Sequence, residues 1–360
     1  MTAAVAAGAK SMGRPERRLV VAGLLLAVSA LAVFPGVAAA HGPIAPVASS
    51  YLARIGGTPA GIDAKVLDGD QRMWLSVPAT KTIVVLDYRG APYLRFSPSG
   101  VQVNANSSMY YLNETPAQIP PVTLSRTTPP KWQAVTGAHD YAWHDGRLHA
   151  LAAVALSPGS AYVGRWSVPL VINAHLTAIS GGLWHANDPS LAWFWPIIVM
   201  FVCVLAGWRL RRPALDILLA RGLTIAALSG IAVGGIGREL YGRPSVGAFE
   251  LIVVVLIAAF VAWGLTRALL PRPGYFSLFV IAFAALWVGG VLIPTLLHGF
   301  VLTALPAFVT RAATVVCLGS GAGLLLLVFR LGDYADREEQ AMDDAPGSEH
   351  EGIGVSESLA

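Results

Sequence analysis

Leu251-Ile-Val-Val-Val-Leu-Ile-Ala-Ala-Phe-Val-Ala-Trp-Gly-Leu265 carries no charged side chain. It lies within the apolar segment Val246–Leu270, long enough to cross a bilayer, which takes roughly 20 residues. Working outward, Leu191–Leu210, Ala214–Ile236, Tyr275–Leu297 and Ala304–Leu331 have the same character. Residues 191–331 are therefore expected to form an α-helical membrane bundle of five transmembrane helices.

The charges between these segments predict an orientation. Arg209, Arg211 and Arg212 follow the first segment, Arg267 and Arg272 follow the third, and Arg330 and Arg337 flank the last. The second loop sets Glu239 against Arg238 and Arg243, and the fourth, His298–Thr303, has no Lys or Arg. Lys and Arg concentrate in cytoplasmic loops, so the chain is expected to be multi-pass in the plasma membrane with a cytoplasmic C-terminus. Trp184, Trp193 and Trp195 fall where the first segment enters the bilayer, as interfacial aromatics do.

Upstream, Arg17 and Arg18 precede the apolar stretch Leu19–Val33, then a Phe-Pro-Gly break and Val37-Ala38-Ala39-Ala40. This is the order of a secretory signal over 1–40, cleaved after Ala40. Removing Lys10, Arg14, Arg17, Arg18 and Glu16 from the 25 basic and 21 acidic residues leaves 21 and 20, so no nucleic-acid footprint remains. The only cysteines, Cys203 and Cys317, both lie in hydrophobic runs, so the exported part, 41–190, needs no disulfide.

Residues 41–190 alternate with period two. Arg72-Met-Trp-Leu-Ser-Val, Thr82-Ile-Val-Val-Leu-Asp-Tyr and Tyr162-Val-Gly-Arg-Trp-Ser-Val-Pro-Leu-Val-Ile predict strands. Asp68-Gly-Asp, Arg89-Gly, Ser97-Pro-Ser-Gly and Ser157-Pro-Gly predict the turns. An all-β sandwich of the immunoglobulin or cupredoxin kind is expected. Asn113–Lys131, with five prolines, should be an extended loop across it. The tail 332–360 is acidic, has no apolar period and is expected to be disordered and cytoplasmic.

Six of the eight histidines fall in the exported part: His41, His139, His144, His149, His175 and His185. Cleavage after Ala40 would make His41 the N-terminus, so its α-amine and ring nitrogen could bind one metal together. Nitrogen ligands in tetragonal geometry suit Cu(II). In Trp143-His-Asp-Gly-Arg-Leu-His149, Asp145-Gly146 is a two-residue hairpin signal. That turn pairs His144 with Arg147 and Ala142 with His149, leaving the two histidines as diagonal neighbours roughly 7–8 Å apart. Asp145 would then be an orienting carboxylate. Equally, His144 and His149 could be polar residues on a solvated face with Arg147 between them. His139, His175 and His185 are expected to be structural.

An N-terminal His on an exported β-sandwich, with histidines downstream, is similar to the histidine brace of CopC-like periplasmic copper proteins. Those are sometimes followed by a CopD-like membrane region, which this layout also resembles. The strings Ala91-Pro-Tyr-Leu-Arg-Phe, Gly100-Val-Gln-Val-Asn, Ser108-Met-Tyr-Tyr-Leu-Asn and Trp143-His-Asp-Gly-Arg-Leu-His resemble a mainly actinobacterial family of uncharacterised membrane proteins. Its members often have a second His where Gly146 stands and a Trp where Ala150 stands. The first resemblance implies copper as cofactor with His41 as a ligand, to which the expected hairpin adds His144 and His149, and a copper donor or acceptor protein as partner beside the lipid bilayer. No established activity comes with the second.

At membrane depth, Arg238, Glu239, Glu250, His298 and Arg311 are all expected near the outer surface, with Glu250–Arg311 as an ion pair. That pair would staple helices or serve ion relay. No Walker loop, dinucleotide fingerprint, His-Glu-X-X-His or Gly-X-Ser-X-Gly occurs, so no enzyme activity is expected. The expected function is copper capture or transfer. The alternative is a metal-free envelope scaffold or accessory membrane protein whose sandwich binds another envelope component.

Overall fold

The computed structural model describes residues 45–114, 116–149, 161–198, 200, 202, 213–269 and 274–343. The expected signal segment, His41, the Ser157-Pro-Gly turn, most of the first membrane segment and residues 344–360 lie outside them.

The N-terminal part is β-rich. Its strands are β1 (Ala48–Ser49), β2 (Tyr51–Gly57), β3 (Asp63–Leu67), β4 (Arg72–Ser76), β5 (Ile83–Leu86), β6 (Pro92–Ser97) and β7 (Gly100–Asn104). After helix α1 (Ser108–Leu112) come β8 (Trp132–Thr136), β9 (Asp140–His144), β10 (Tyr162–Ile172) and β11 (His175–His185). Seven strands form one antiparallel sheet in the order β2-β11-β10-β5-β6-β7-β8, and β3-β4-β9 form a second. Alternation decides which side chains are inside. Met73, Leu75 and Trp143 of the small sheet meet Ile83, Val85, Leu94, Phe96, Val168, Leu170 and Ile179 of the large one in a single core. The expected loop from Asn113 to Lys131 is free of strand and helix where it is described. The run Ser108–Leu112 winds into a helix because Ser107 caps it, its hydroxyl accepting from the Met109 N–H.

The C-terminal part is helical. Its helices are α2 (Pro213–Glu239), α3 (Ala248–Leu269), α4 (Tyr275–Leu292), continued by a 3-10 turn over Ile293–Leu296, and α5 (Ala307–Asp343). Among the described residues four helices are long and apolar enough to cross a membrane. Ala227, Leu228 and Ile231 of α2, Leu278, Ile281 and Ala285 of α4, and Cys317 and Leu324 of α5 form their shared core. Small residues allow close approach: a Cβ at Gly230 would lie 2.7 Å from the Cys317 sulfur. One expectation needs correction. Residues 332–343, read from sequence as disordered, continue α5 as helix. Extending an existing helix needs no new nucleus, and Ala335, Glu338, Glu339, Gln340, Ala341 and Met342 are all strong helix formers.

The two parts are stitched together. β1 pairs antiparallel with β12 (Phe300–Val301), in the loop between α4 and α5, with Ala48 opposite Val301. The Leu302 N–H donates to the Val47 carbonyl at 2.8 Å. Arg243, in the α2–α3 loop, donates to the carbonyls of Ala45, Pro46 and Leu302 at 3.3, 3.1 and 3.2 Å. Lys65 on β3 reaches the Pro244 carbonyl at 3.1 Å. The β-rich part therefore sits directly on the loops at one end of the bundle.

Candidate metal-binding site

β4 and β9 run side by side with Arg72 opposite His144 and Trp74 opposite Ala142. Met73, Leu75 and Trp143 point into the core, so Arg72, Trp74 and His144 lie on the outer face. His144 ends β9, and its carbonyl accepts from Asn113 Nδ2 at 3.1 Å. The same amide donates to the Tyr93 hydroxyl at 2.7 Å. Asn113, the C-terminal cap of α1, thus fixes the backbone at His144.

The expected Asp145-Gly146 hairpin is not formed. Asp145 has φ −133° and ψ 104°, not the left-handed values such a turn requires. Gly146–Leu148 form one turn of 3-10 helix, capped by the Asp145 side chain on the Arg147 N–H. Asp145 is fully buried. It accepts from Trp143 Nε1 at 2.9 Å and from Arg147 Nε and Nη2 at 2.8 and 2.6 Å. Arg147 also donates to the Leu86 carbonyl at 2.9 Å. This interior network displaces the hairpin, because a buried carboxylate needs partners more than the loop needs a tight turn. Leu148, with no exposure, anchors the turn in the core.

The turn nevertheless brings the two histidines together. The His144 and His149 ring centroids are 4.9 Å apart, with ring planes at 36°. The orienting carboxylate is Asp70, not Asp145: its Oδ2 lies 3.0 Å from His149 Nδ1. With the proton on Nδ1 donated to Asp70, His149 Nε2 is left as a lone-pair donor, as in carboxylate–histidine–metal triads. Burial and the neighbouring His149 hold the His144 imidazole below its ordinary pKa, favouring the neutral ring a metal requires.

Asp70 comes from the turn between β3 and β4, where Asp68 (φ 58°) and Gly69 (φ 83°) are left-handed. At Gly69 a Cβ would strike the Ser49 side chain and the Tyr51 carbonyl at 2.9 and 3.0 Å, so only glycine fits. Asp68 Oδ2 accepts from Arg72 Nε at 2.6 Å, which ties the turn to the strand facing His144. Asp70 and Asn113 were missed as site residues by sequence reasoning. The turn was legible, but the pairing of β4 with β9 that carries it to the histidines was not.

Among the described residues no group of three or more His, Cys, Asp or Glu could hold a metal ion. His144 and His149 are together, and His41 lies outside the described residues. Of the histidines expected to be structural, His185 packs its ring on Tyr51 at 4.9 Å.

The five residues expected at membrane depth separate into local partnerships. Arg238 pairs with Glu239 at 3.6 Å. Glu250 Oε2 accepts the Gly247 N–H at 2.9 Å in the first turn of α3. Arg311 donates to the carbonyls of Thr295, His298 and Gly299 at 2.8, 3.1 and 3.0 Å. The His298 ring meets the Ser50 hydroxyl at 3.0 Å. The expected Glu250–Arg311 pair is therefore not made. Glu250 and Arg311 instead each find backbone partners near helix ends, where unsatisfied N–H and C=O groups are concentrated.

Compared with known proteins, the chain matches no family model, and no curated protein or solved structure is significantly similar to it.

Proposed function

We propose that this chain is a membrane-anchored, extracytoplasmic copper-binding protein that captures copper or hands it on. The observation that carries this is the His144–His149 pair, 4.9 Å between rings, with His149 Nδ1 held by Asp70. Two imidazoles and a carboxylate-fixed tautomer suit Cu(II) or another borderline first-row ion better than a hard cation. His41, exposed by cleavage after Ala40, supplies the remaining nitrogens. The segment leading to it is tied to the same region: Arg243 holds Ala45 and Pro46, and Ser49 lies against Gly69, next to Asp70. Four residues extend at most about 14 Å.

In this proposal the β-rich part is a sandwich of the immunoglobulin, cupredoxin or CopC kind. Leu191–Leu210 supplies a fifth membrane helix, and the arginine distribution supports a β-rich part outside and a C-terminus in the cytoplasm. Copper titration of the full chain in nanodiscs tests the function. The wild type should take up Cu(II) tightly, and His41→Ala, His144→Ala and His149→Ala should each weaken it. Affinity indifferent to all three changes, or a mature N-terminus other than His41, removes the brace. A metal-free scaffold is then the better account, favoured by Ile119 and Val122, which stand 92% and 94% exposed on the proline-rich loop.

A further inference from the structure

The turn Asp68-Gly69-Asp70 touches three things at once. Asp70 holds His149. Gly69 packs against Ser49, and its carbonyl accepts the Ala53 N–H at 2.9 Å, so it rests on the chain leaving β1. Asp68 is buried at the joint with the bundle, one oxygen on Arg72, the other without a hydrogen-bond partner among the described residues. Across the joint, Arg243 spends its terminal nitrogens on the carbonyls of Ala45, Pro46 and Leu302. Its buried Nε likewise has no partner there. Burial holds the Arg243 guanidinium below its ordinary pKa, and the Asp68 carboxylate pulls against that shift.

We infer that Arg243 is a positioning residue for the His144–His149 site, acting through Asp68 and the turn that presents Asp70, so that bundle and β-rich part build the site together. This rests on the copper reading above. Two routes converge on the turn. One is mechanical: Arg243 pins residues 45–46, and the strand that follows them is the floor on which Gly69 sits. The other is electrostatic, between the guanidinium and the charge of the Asp68 carboxylate. Losing either lets the turn shift, and Asp70 then no longer fixes the His149 tautomer. Outer partners of metal-ligating histidines typically govern affinity by roughly 10- to 100-fold.

The test uses the full chain in nanodiscs, with Cu(II) affinity from chelator competition and the Cu(II) electron paramagnetic resonance spectrum as readouts. Arg243→Gln should weaken binding about tenfold and change the spectrum, while Arg243→Lys recovers part of the loss. Asp68→Asn, which removes the electrostatic route alone, should weaken binding less than Arg243→Gln, and the double variant should be no weaker than Arg243→Gln, because Arg243 is the origin of both routes. Lys65→Ala, which removes a neighbouring contact to the same loop, should leave affinity unchanged. Wild-type affinity and spectrum in Arg243→Gln, or strictly additive losses, would overturn the inference while leaving the copper reading intact. A wild-type chain that takes up no copper overturns both. If Arg243→Gln does not assemble, Asp68→Asn and Arg243→Lys decide alone.

Discussion

His149 Nδ1 and Asp70 Oδ2 are 3.0 Å apart although the residues are 79 positions apart in sequence. Asp70 is almost buried, and His149 keeps about a quarter of its side chain exposed (11% and 23%). One nitrogen of the ring is therefore committed to the protein and the other is left for something else.

Asp70→Asn should keep the fold but weaken Cu(II) binding by roughly 10- to 100-fold, because an amide holds the tautomer less firmly than a carboxylate. Isothermal titration against a competing chelator measures this. An affinity equal to wild type would show that Asp70 is a structural partner of His149 only.

Asp145→Ala should be far more damaging to stability than to metal binding per folded molecule. It strands the Arg147 guanidinium, 15% exposed, and the Trp143 indole N–H in the interior. Breaking a buried pair from one side costs about 3–5 kcal/mol. Thermal unfolding followed by tryptophan fluorescence gives the number, and a loss below about 1 kcal/mol would contradict the described network.

Acidification should destabilise the metal-free protein through His144. Its folded pKa lies below the ordinary imidazole value, by burial first and His149 second. The unfolded chain therefore takes up the proton first as pH falls through about 6.5, and stability declines on the acid side. His144→Gln should flatten this part of the melting-temperature profile. An equal slope in both proteins would place the pH dependence elsewhere.

Glu250→Gln and Arg311→Met should behave as independent changes. The glutamine can still accept the Gly247 N–H, so Glu250→Gln should cost well under about 1 kcal/mol. Arg311→Met leaves three carbonyls without their donor and should cost several times more, since each such group is expensive in an apolar setting. Denaturant melts in detergent should show the two effects adding. A coupling above about 1 kcal/mol would restore the ion pair that the sequence suggested.

Much of the architecture was legible because it is written in periodicity. The runs at Ala214–Ile236 and Tyr275–Leu297 named helices, and the alternation at Arg72–Val77 named β4. Ser108–Leu112 escaped because five residues are too few to show a period, and its cap decides the matter. The site was half legible. His144 and His149 were expected to meet and do, but by a 3-10 turn in place of a hairpin, since Asp-Gly signals a turn only if its carboxylate is not claimed by the interior. Glu250 and Arg311 were expected to meet and do not, because side-chain charge is visible in a sequence while nearby helix-end backbone groups are not. Asp70 and Arg243 depend on strand order and on docking, neither of which is local.

The pairing of Ala48 with Val301 makes the joint a question of timing. At about 5–20 residues per second of synthesis, the β-rich part is made on the order of ten seconds before its partner strand. It must wait, with β1 unpaired and Ser50 without His298, until the loop before the last helix emerges. A chain stopped short of that loop would carry the His144–His149 pair but lack the clasp. Premature truncation should thus yield a folded domain still held by Arg243 and Lys65 but with β1 unpaired, more open to proteases at residues 47–50.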